Sequence, residues 1–239
     1  MLISLHHIPT CGSTNSEILE FLQGNPCGTA VYTFCQTAGR GQYGNRWQSR
    51  PGENLAYSLA VEANLLRTSA NLFNYHTATV VRDFIAKVTD CGAEIKWPND
   101  IILKKKKICG ILIEKHKAEN LREYFIIGIG INILSDEFSE LPKAGSLFTQ
   151  TGLKPDLHMF TEEFHQYISE NIFPQKGDEE ILEKFNGHLF RKDEVSVFEI
   201  EKVRQNGIIR KADAEGFLWV ELENGGLRKF YHKEMELLY

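Results

Sequence analysis

Apolar residues in the first 190 positions recur with two different periods, which predicts helices interleaved with strands. Between Asn71 and Asp90 they follow the helical period, and Cys91-Gly92 provides the expected stop. The segment Thr14–Glu17 has the form of a capping box and predicts a helix near the start of the chain. Two further helices, each opened by an aspartate as its N-cap, are predicted at residues 156–172 and 178–188.

Strands are predicted from shorter apolar runs. These runs lie at residues 29–36, 53–62 and 124–134, and two more strands joined by a lysine-rich turn are expected between Ile95 and Glu114. The run from Tyr124 to Leu134 is apolar almost throughout. We therefore expect it at the centre of the sheet, where both faces of a strand are buried.

The pattern changes near residue 190. From Lys192 onward it predicts only short alternating strands, at residues 195–200, 207–211, 217–222 and 228–231. Hairpin turns are expected between them at Asp213–Gly216 and Glu223–Gly226. Short strands joined by hairpin turns in this way suit a small SH3-like β-barrel. We therefore expect an α+β protein with two domains, residues 1–189 and 190–239.

Composition and charge exclude several classes of protein. The 239 residues are 42% hydrophobic and carry a net charge of −5, which argues against a general nucleic-acid binder. No apolar run approaches the roughly 20 residues of a membrane span. The five cysteines contain no CxxC pair, so a disulfide framework or zinc site is not expected. The first residues lack the features of a signal peptide, and we expect a reduced, cytoplasmic protein.

The candidate chemistry begins in a loop rich in glycine and arginine, residues 36–47. Three glycines alternate there with Arg40 and Arg46. Glycine lets the backbone amides approach a ligand and form an anion-binding nest, and arginine adds a permanent positive charge. We expect the loop to close over a small anionic ligand. A solvated surface turn is the alternative that this composition alone leaves open.

Two segments that follow carry further polar groups. Lys96–Asp100 ends a strand in a turn with a cation, an aromatic ring, an amide and a carboxylate, although an ordinary turn would have the same composition. Strand alternation places Lys107 on the face of Cys109, Ile111 and Ile113, and a lysine at the head of an apolar face is expected to point into a site. Lys104 to Lys106 are expected to form a solvated hairpin tip.

The segment Gly128–Asn132 places two glycines and an amide at the end of the predicted central strand. It lacks the third glycine of a dinucleotide-binding fingerprint. One interpretation is close backbone approach to a flat ligand, with Asn132 bonded to the ligand's edge. The other is that the glycines relieve tight packing in the sheet.

Taken in order, five segments of the chain resemble the motif series of the biotin protein ligases. They are Ser13-Thr14-Asn15, Gln36 with Gly39-Arg40-Gly41 and Trp47, Lys96–Asp100, Lys107–Gly110, and Gly128–Asn132. The resemblance covers about residues 10–147 and continues weakly into the C-terminal segment. It implies a mixed α/β catalytic domain, similar to class II aminoacyl-tRNA synthetases, followed by the small barrel.

The resemblance also implies a ligase that forms a C–N bond in two steps. Biotin and ATP give biotinyl-5′-adenylate and pyrophosphate, and a lysine of a biotin carboxyl carrier domain then attacks the adenylate. Mg²⁺ is expected to enter with ATP, with Asn99 and Asp100 as the protein groups nearest to it. No protein nucleophile is required, which fits the absence of a Ser-His or Cys-His signature.

Residue roles follow from the same resemblance. The residues expected to bind biotin are Ser13, Thr14, Asn15, Gln36, Gly39, Arg40, Gly41, Trp47, Lys107 and Gly110. Those expected to bind the nucleotide are Arg40, Gln42, Arg46, Lys96, Asn99, Asp100, Ile131 and Asn132. Arg40 and Lys107 are the expected catalytic cations, because attack of a carboxylate on the α-phosphate brings two anions together.

The chain departs from the family at Gln42, where many relatives carry a second arginine, and a weaker hold on the adenylate is expected. Only about a dozen residues precede Ser13, so we expect no helix-turn-helix and no DNA binding. A homodimer is left open. The nearest alternative function is a lipoate or octanoate ligase of the same fold, although its usual arginine- and glycine-rich run is absent. A non-catalytic biotin-binding module is the second alternative.

Overall fold

The computed structural model describes residues 3–22, 28–117, 122–173 and 177–239, and the backbone alone of Tyr43. The strands before residue 190 are β1 (Ser4–His7), β2 (Thr29–Thr33), β3 (Gly39–Arg40), β4 (Arg46–Trp47), β5 (Asn54–Glu62), β6 (Ala93–Lys96), β7 (Asp100–Leu103), β8 (Lys106–Lys117) and β9 (Glu123–Asn132). The helices are α1 (Thr14–Glu17), α2 (Ala70–Thr89), α3 (Leu147–Thr151), α4 (Leu157–Asn171) and α5 (Asp178–Gly187). None of the helices described is long and apolar enough to cross a membrane.

In the described residues, seven strands form one mixed sheet in the order β1-β2-β5-β9-β8-β7-β6. The β1–β2 pair is parallel and the other pairs are antiparallel. Strand β9 lies fourth of seven, which confirms its predicted central position. Helices α2 and α4 pack on one face of this sheet and α5 packs against α2, and Phe73, Phe84 and Phe164 are fully buried in this core.

The helices confirm the predicted periodicity, but three of the predicted end signals are wrong. Ser13 is the N-cap of α1 and makes no side-chain capping hydrogen bond, so the predicted capping box is absent. Helix α2 ends at Thr89, and its C-cap is Asp90, which adopts a left-handed conformation with φ 48° one residue before the predicted Cys91-Gly92 stop. Asp156 caps α4 by accepting from Met159 N at 2.9 Å, as predicted. Asp178 is the first residue of α5, and Gly177 is its N-cap.

The region between Ile95 and Glu114 holds three strands where two were predicted. The additional strand is β6, which ends at Lys96 and pairs with β7. Lys104 and Lys105 have φ values of 47° and 66°, so the predicted lysine turn does join β7 to β8.

After residue 190 the strands are β10 (Val195–Ile200), β11 (Val203–Ala212), β12 (Leu218–Leu222), β13 (Gly226–Phe230) and β14 (Glu236–Leu238). They form an antiparallel sheet in the order β13-β12-β11-β10-β14. The predicted strands and hairpins are confirmed, and β14 was missed because three residues carry no readable alternation. Within the described residues the edge strands β13 and β14 do not pair, so the sheet is not a closed barrel. The division into domains at residues 189 and 190 stays a prediction.

A partly buried histidine makes the stability of this fold sensitive to acid. His165 Nε2 donates to Ile3 O at 3.0 Å, so the neutral ring accepts from the Tyr57 hydroxyl through Nδ1 at 2.9 Å. Burial lowers the pKa of His165 below its usual value, against the opposing effect of the bond to Ile3. The unfolded chain therefore binds more protons below about pH 6.5, and the free energy of unfolding should fall as pH drops through that value.

The His165→Gln variant should show a flatter loss of stability in acid, because glutamine can donate and accept without titrating. Urea unfolding at pH 7.5 and 5.5 measures the difference, with His116→Gln as the matched control at the outer end of β8. An unchanged pH dependence in His165→Gln would contradict this assignment.

Candidate active site

A cleft lies over the middle of the seven-stranded sheet. Its floor is formed by β5, β8 and β9, one wall by α1, and its cover by the glycine–arginine loop at residues 36–47. Most of the residues that the sequence singled out line this cleft: Ser13, Thr14, Asn15, Gln36, Arg40, Gly41, Gln42, Arg46, Trp47, Asn99, Asp100, Lys107, Gly110, Gly128 and Gly130. Segments separated by more than a hundred residues therefore meet around one cavity.

The loop is seated on the sheet through the indole of Trp47, which lies over two glycines. A Cβ at Gly130 would come within 2.6 Å of Trp47 Cζ2, and one at Gly110 within 3.3 Å of Trp47 Cζ3. These glycines pair with each other across β8 and β9. Gly39 serves the same loop from outside the cleft lining, because a Cβ there would come within 2.6 Å of Gln36 Nε2. Close approach of the loop to the sheet is the physical reason for glycine at positions 110 and 130, and close approach within the loop is the reason at position 39.

A buried polar network forms one end of the cleft. Gln36 Oε1 accepts from Thr14 N at 2.9 Å and from Thr14 Oγ1 at 3.2 Å. Ser58 Oγ lies 2.8 Å from Thr14 Oγ1 and 2.6 Å from Asn15 Oδ1. Thr14 and Asn15 thus use their side chains in this network and not to cap α1. Short donors and acceptors held in this way suit a small polar ring with both kinds of group.

The other end of the cleft carries Lys107, whose ammonium lies 2.7 Å from Asp100 Oδ1. The prediction that Lys107 points into the site holds, but the predicted face was wrong. The β7–β8 register shifts between Ile101 and Ile102, and this irregularity moves Lys107 onto the face of Gly110. Cys109 is fully buried on the core side, where burial raises the pKa of its thiol.

Several residues expected on the nucleotide side hold the structure around the cleft. Asn99 lines the cleft, but its side-chain amide donates to Ile111 O. Asn132 donates to Gly145 O at 2.9 Å and so fixes the segment after β9. Ile131 is fully buried in the core. Within the described part of the chain, neither Ile131 nor Asn132 lines the cleft.

Lys96 also lies outside the cleft lining, in an adjoining cavity between the Lys96–Asp100 turn and the C-terminal sheet. Its side chain is largely buried, and this burial lowers the pKa of its ammonium, against the opposing effect of Asp100. The ammonium lies 5.8 Å from the centre of the Tyr239 ring. His232 lines both cavities, which places the C-terminal segment beside the site.

The donor set for a metal ion is small. Among the residues that the structure describes, no three His, Cys, Asp or Glu side chains converge on a point where they could hold a metal. Asp100 is already paired with Lys107, and the Asn99 amide is bonded to the backbone of β8. The protein groups predicted nearest to Mg²⁺ therefore do not fit a site built by the protein alone.

Sequence reasoning missed Ser58 and Glu114. Ser58 lies in the middle of β5, a strand that is buried almost throughout, so a serine there was a readable signal. Glu114 accepts from Asn15 Nδ2 at 2.7 Å and from Arg40 Nη2 at 3.0 Å. Alternation places Glu114 on the face of Gly110 and Leu112, but Lys107 is seen to share that face only once the irregularity in β8 is known.

These features together define an α+β fold with a cleft whose polar network suits a small polar ring at one end and whose lysine suits a negative group at the other. The chain belongs to the biotin/lipoate A/B protein ligase family, whose model matches residues 11–132, about half of the 239 residues.

Individual relatives agree with this assignment. The bifunctional ligase/repressor BirA of Bacillus spizizenii is 30% identical over an alignment of 248 positions, which covers 94% of this chain and 71% of that protein. A biotin–[acetyl-CoA-carboxylase] ligase of Paracoccus denitrificans is 29% identical over 155 residues, 64% of this chain and 61% of that protein. The structure of a biotin protein ligase from Aquifex aeolicus in complex with biotin and ATP has a TM-score of 0.79 over 98% of both chains. Because the two sequences are only 23% identical, this last similarity shows the fold alone.

Proposed function

We propose that this protein is a biotin–protein ligase that activates biotin with ATP and transfers it to a lysine of a biotin carboxyl carrier domain. The observation that carries the proposal is the cleft itself, where a polar network, a lysine and a glycine–arginine loop meet in a member of this family. Similar folds have been solved with biotin and ATP and with biotinyl-5-AMP. The named relatives favour biotin over lipoate.

In the first step a biotin carboxylate oxygen attacks the α-phosphorus of ATP, and pyrophosphate leaves. The buried network of Thr14, Asn15 and Gln36 would bind the ureido ring and so place the valerate carboxylate toward Lys107. The Lys107 ammonium has three donors, of which Asp100 occupies one, so two remain for the carboxylate and phosphate oxygens. Lys107 and Arg40 together would offset the repulsion between the two anions.

In the second step the amine of the carrier lysine attacks the acyl carbon of the adenylate, and AMP leaves. The adenylate must be kept from water until the carrier arrives, which is the role we assign to the loop and to Trp47. Trp47 Nε1 is buried and has no hydrogen-bond partner among the described residues, so a ligand oxygen could accept from it. Residues 190–239, with His232 at the site, would form the second domain beside this reaction. A cytoplasmic location, a homodimer and the lack of DNA binding remain predictions.

The test is mass spectrometry of a carrier domain incubated with the protein, biotin and Mg-ATP. We expect a gain of one biotinyl group on one lysine and biotin-dependent release of pyrophosphate. If pyrophosphate is released without modification of the carrier, the protein is an adenylating enzyme with another acceptor. If neither product forms, the result supports a non-catalytic binding module. Thermal stabilisation by lipoate and not by biotin would favour the alternative ligase.

Replacing Gln42 with arginine should slow release of the adenylate by about 3- to 10-fold. Gln42 lines the cleft, and an added charge-assisted bond to the adenylate phosphate would contribute about 1 kcal/mol there. Release of radiolabelled adenylate from the preformed complex measures the change. Gln48→Arg is the matched control, because Gln48 lies in the same loop region but is exposed and outside the cleft lining. Equal or faster release from Gln42→Arg would contradict the prediction.

A further inference from the structure

Glu114 lies where the glycine–arginine loop meets the polar end of the cleft. A single oxygen, Oε2, accepts from both Asn15 Nδ2 and Arg40 Nη2, at 2.7 and 3.0 Å. Asn15 in turn contacts Ser58 through Oδ1. The carboxylate therefore connects the loop's arginine directly to the network expected to hold the ureido ring.

The same contact keeps Arg40 away from Lys107. The Lys107 ammonium lies beside Gly110, since a Cβ there would be 3.4 Å from Nζ. Glu114 is four residues further along β8, which at about 3.3 Å per residue is roughly 13 Å. The two cations that must meet the reacting anions are thus at opposite ends of the cleft in this structure.

We propose that Glu114 is a positioning residue that holds Arg40 at the ureido end of the cleft until a negatively charged ligand displaces it. The inference rests on the proposed function and adds that Glu114 competes with the ligand for Arg40. A carboxylate or phosphate ligand recruits Arg40 toward Lys107, whereas an uncharged ligand leaves Arg40 on Glu114. The loop therefore closes in response to the ligand's charge.

The expected effect is modest, because both partners are accessible to water. The side chains of Arg40 and Glu114 are 49% and 39% exposed, and pairs of this kind change an equilibrium by a few-fold. Ligand binding must break this pair before Arg40 can move. Removing the charge at position 114 should therefore strengthen the binding of anionic ligands, which no purely structural role would do.

The experiment is calorimetric titration of Glu114→Gln and the wild-type protein with biotin and with biotinamide, whose carboxylate is replaced by a neutral amide. Glutamine keeps an oxygen that accepts from Asn15 but loses the charge that holds Arg40. We expect the Kd for biotin to fall by about 2- to 5-fold in Glu114→Gln, with the Kd for biotinamide unchanged. In the Arg40→Gln background the same substitution should have no effect on either Kd.

Glu123→Gln is the matched control, because Glu123 forms a comparable exposed pair, 2.8 Å from Lys115, on the neighbouring strand outside the cleft lining. Its Kd for biotin should equal that of the wild type. Unchanged or weaker biotin binding by Glu114→Gln, or tighter binding that persists in the Arg40→Gln background, would overturn the inference. Failure of the wild-type protein to bind biotin at all would instead count against the proposed function.

Discussion

Replacing Lys107 with methionine should reduce the rate of biotin adenylation by about 100-fold. A charge-assisted hydrogen bond contributes about 1.5–3 kcal/mol, or about 10- to 150-fold in rate, and its share is larger where water is excluded. Asp100 would lower the rate further, because its side chain is only 16% exposed and would lose its partner. An unpaired carboxylate would then lie beside an anionic substrate. Pyrophosphate release in the presence of biotin and ATP measures the effect.

The matched control for this prediction is Lys115→Met, a lysine on the same strand that pairs with Glu123 outside the cleft lining. Its adenylation rate should stay within about 2-fold of the wild type, because exposed pairs contribute little. The double variant Lys107→Met with Asp100→Asn should recover part of the lost rate, since it removes the unpaired carboxylate. A Lys107→Met rate close to the wild-type rate would show that this ammonium does not serve the chemical step.

The elements of the fold were predictable because their signals are local. The helical period of α2 and the continuously apolar run of β9 are each determined by consecutive residues, and both elements lie where they were predicted. The end signals were less reliable. Thr14 and Asn15 match a capping box by composition, but their side chains bond instead to Gln36 and to Ser58. Tertiary partners thus outweighed the local preference.

The parts of the site that escaped prediction depend on contacts between distant segments. Ser58 meets Asn15 across 43 residues, and Arg40 meets Glu114 across 74. The face of Lys107 depends on an irregularity in the β7–β8 register, which strict alternation along the chain does not reveal. Motif order did identify most of the cleft lining, because each motif is a short run of neighbouring residues that can be recognised without knowing how the segments pair.

Replacing Gly130 with alanine should weaken biotin binding by at least about 10-fold and speed the loss of the adenylate. The new methyl group would lie within 2.6 Å of Trp47 Cζ2, and overpacking of this kind costs about 1–3 kcal/mol. Gly130 is paired on both sides, with Ala56 and Gly110, so its backbone is held and the indole must move. Because Trp47 seats the glycine–arginine loop on the sheet, its displacement opens the cover of the cleft. Biotin titration and adenylate release measure the two effects.

The strain at Gly130 can be separated from a general loss of stability. Gly187→Ala is the matched control, since a Cβ at that glycine meets open space, and its biotin affinity should not change. If the methyl group acts through Trp47, then Trp47→Ala alone should weaken biotin binding, and adding Gly130→Ala to it should cause little further loss, because the space vacated by the indole accommodates the methyl. Additive losses in the double variant would mean that Gly130 contacts the ligand directly. The alanine methyl would then disturb the floor of the cleft and not the position of the loop.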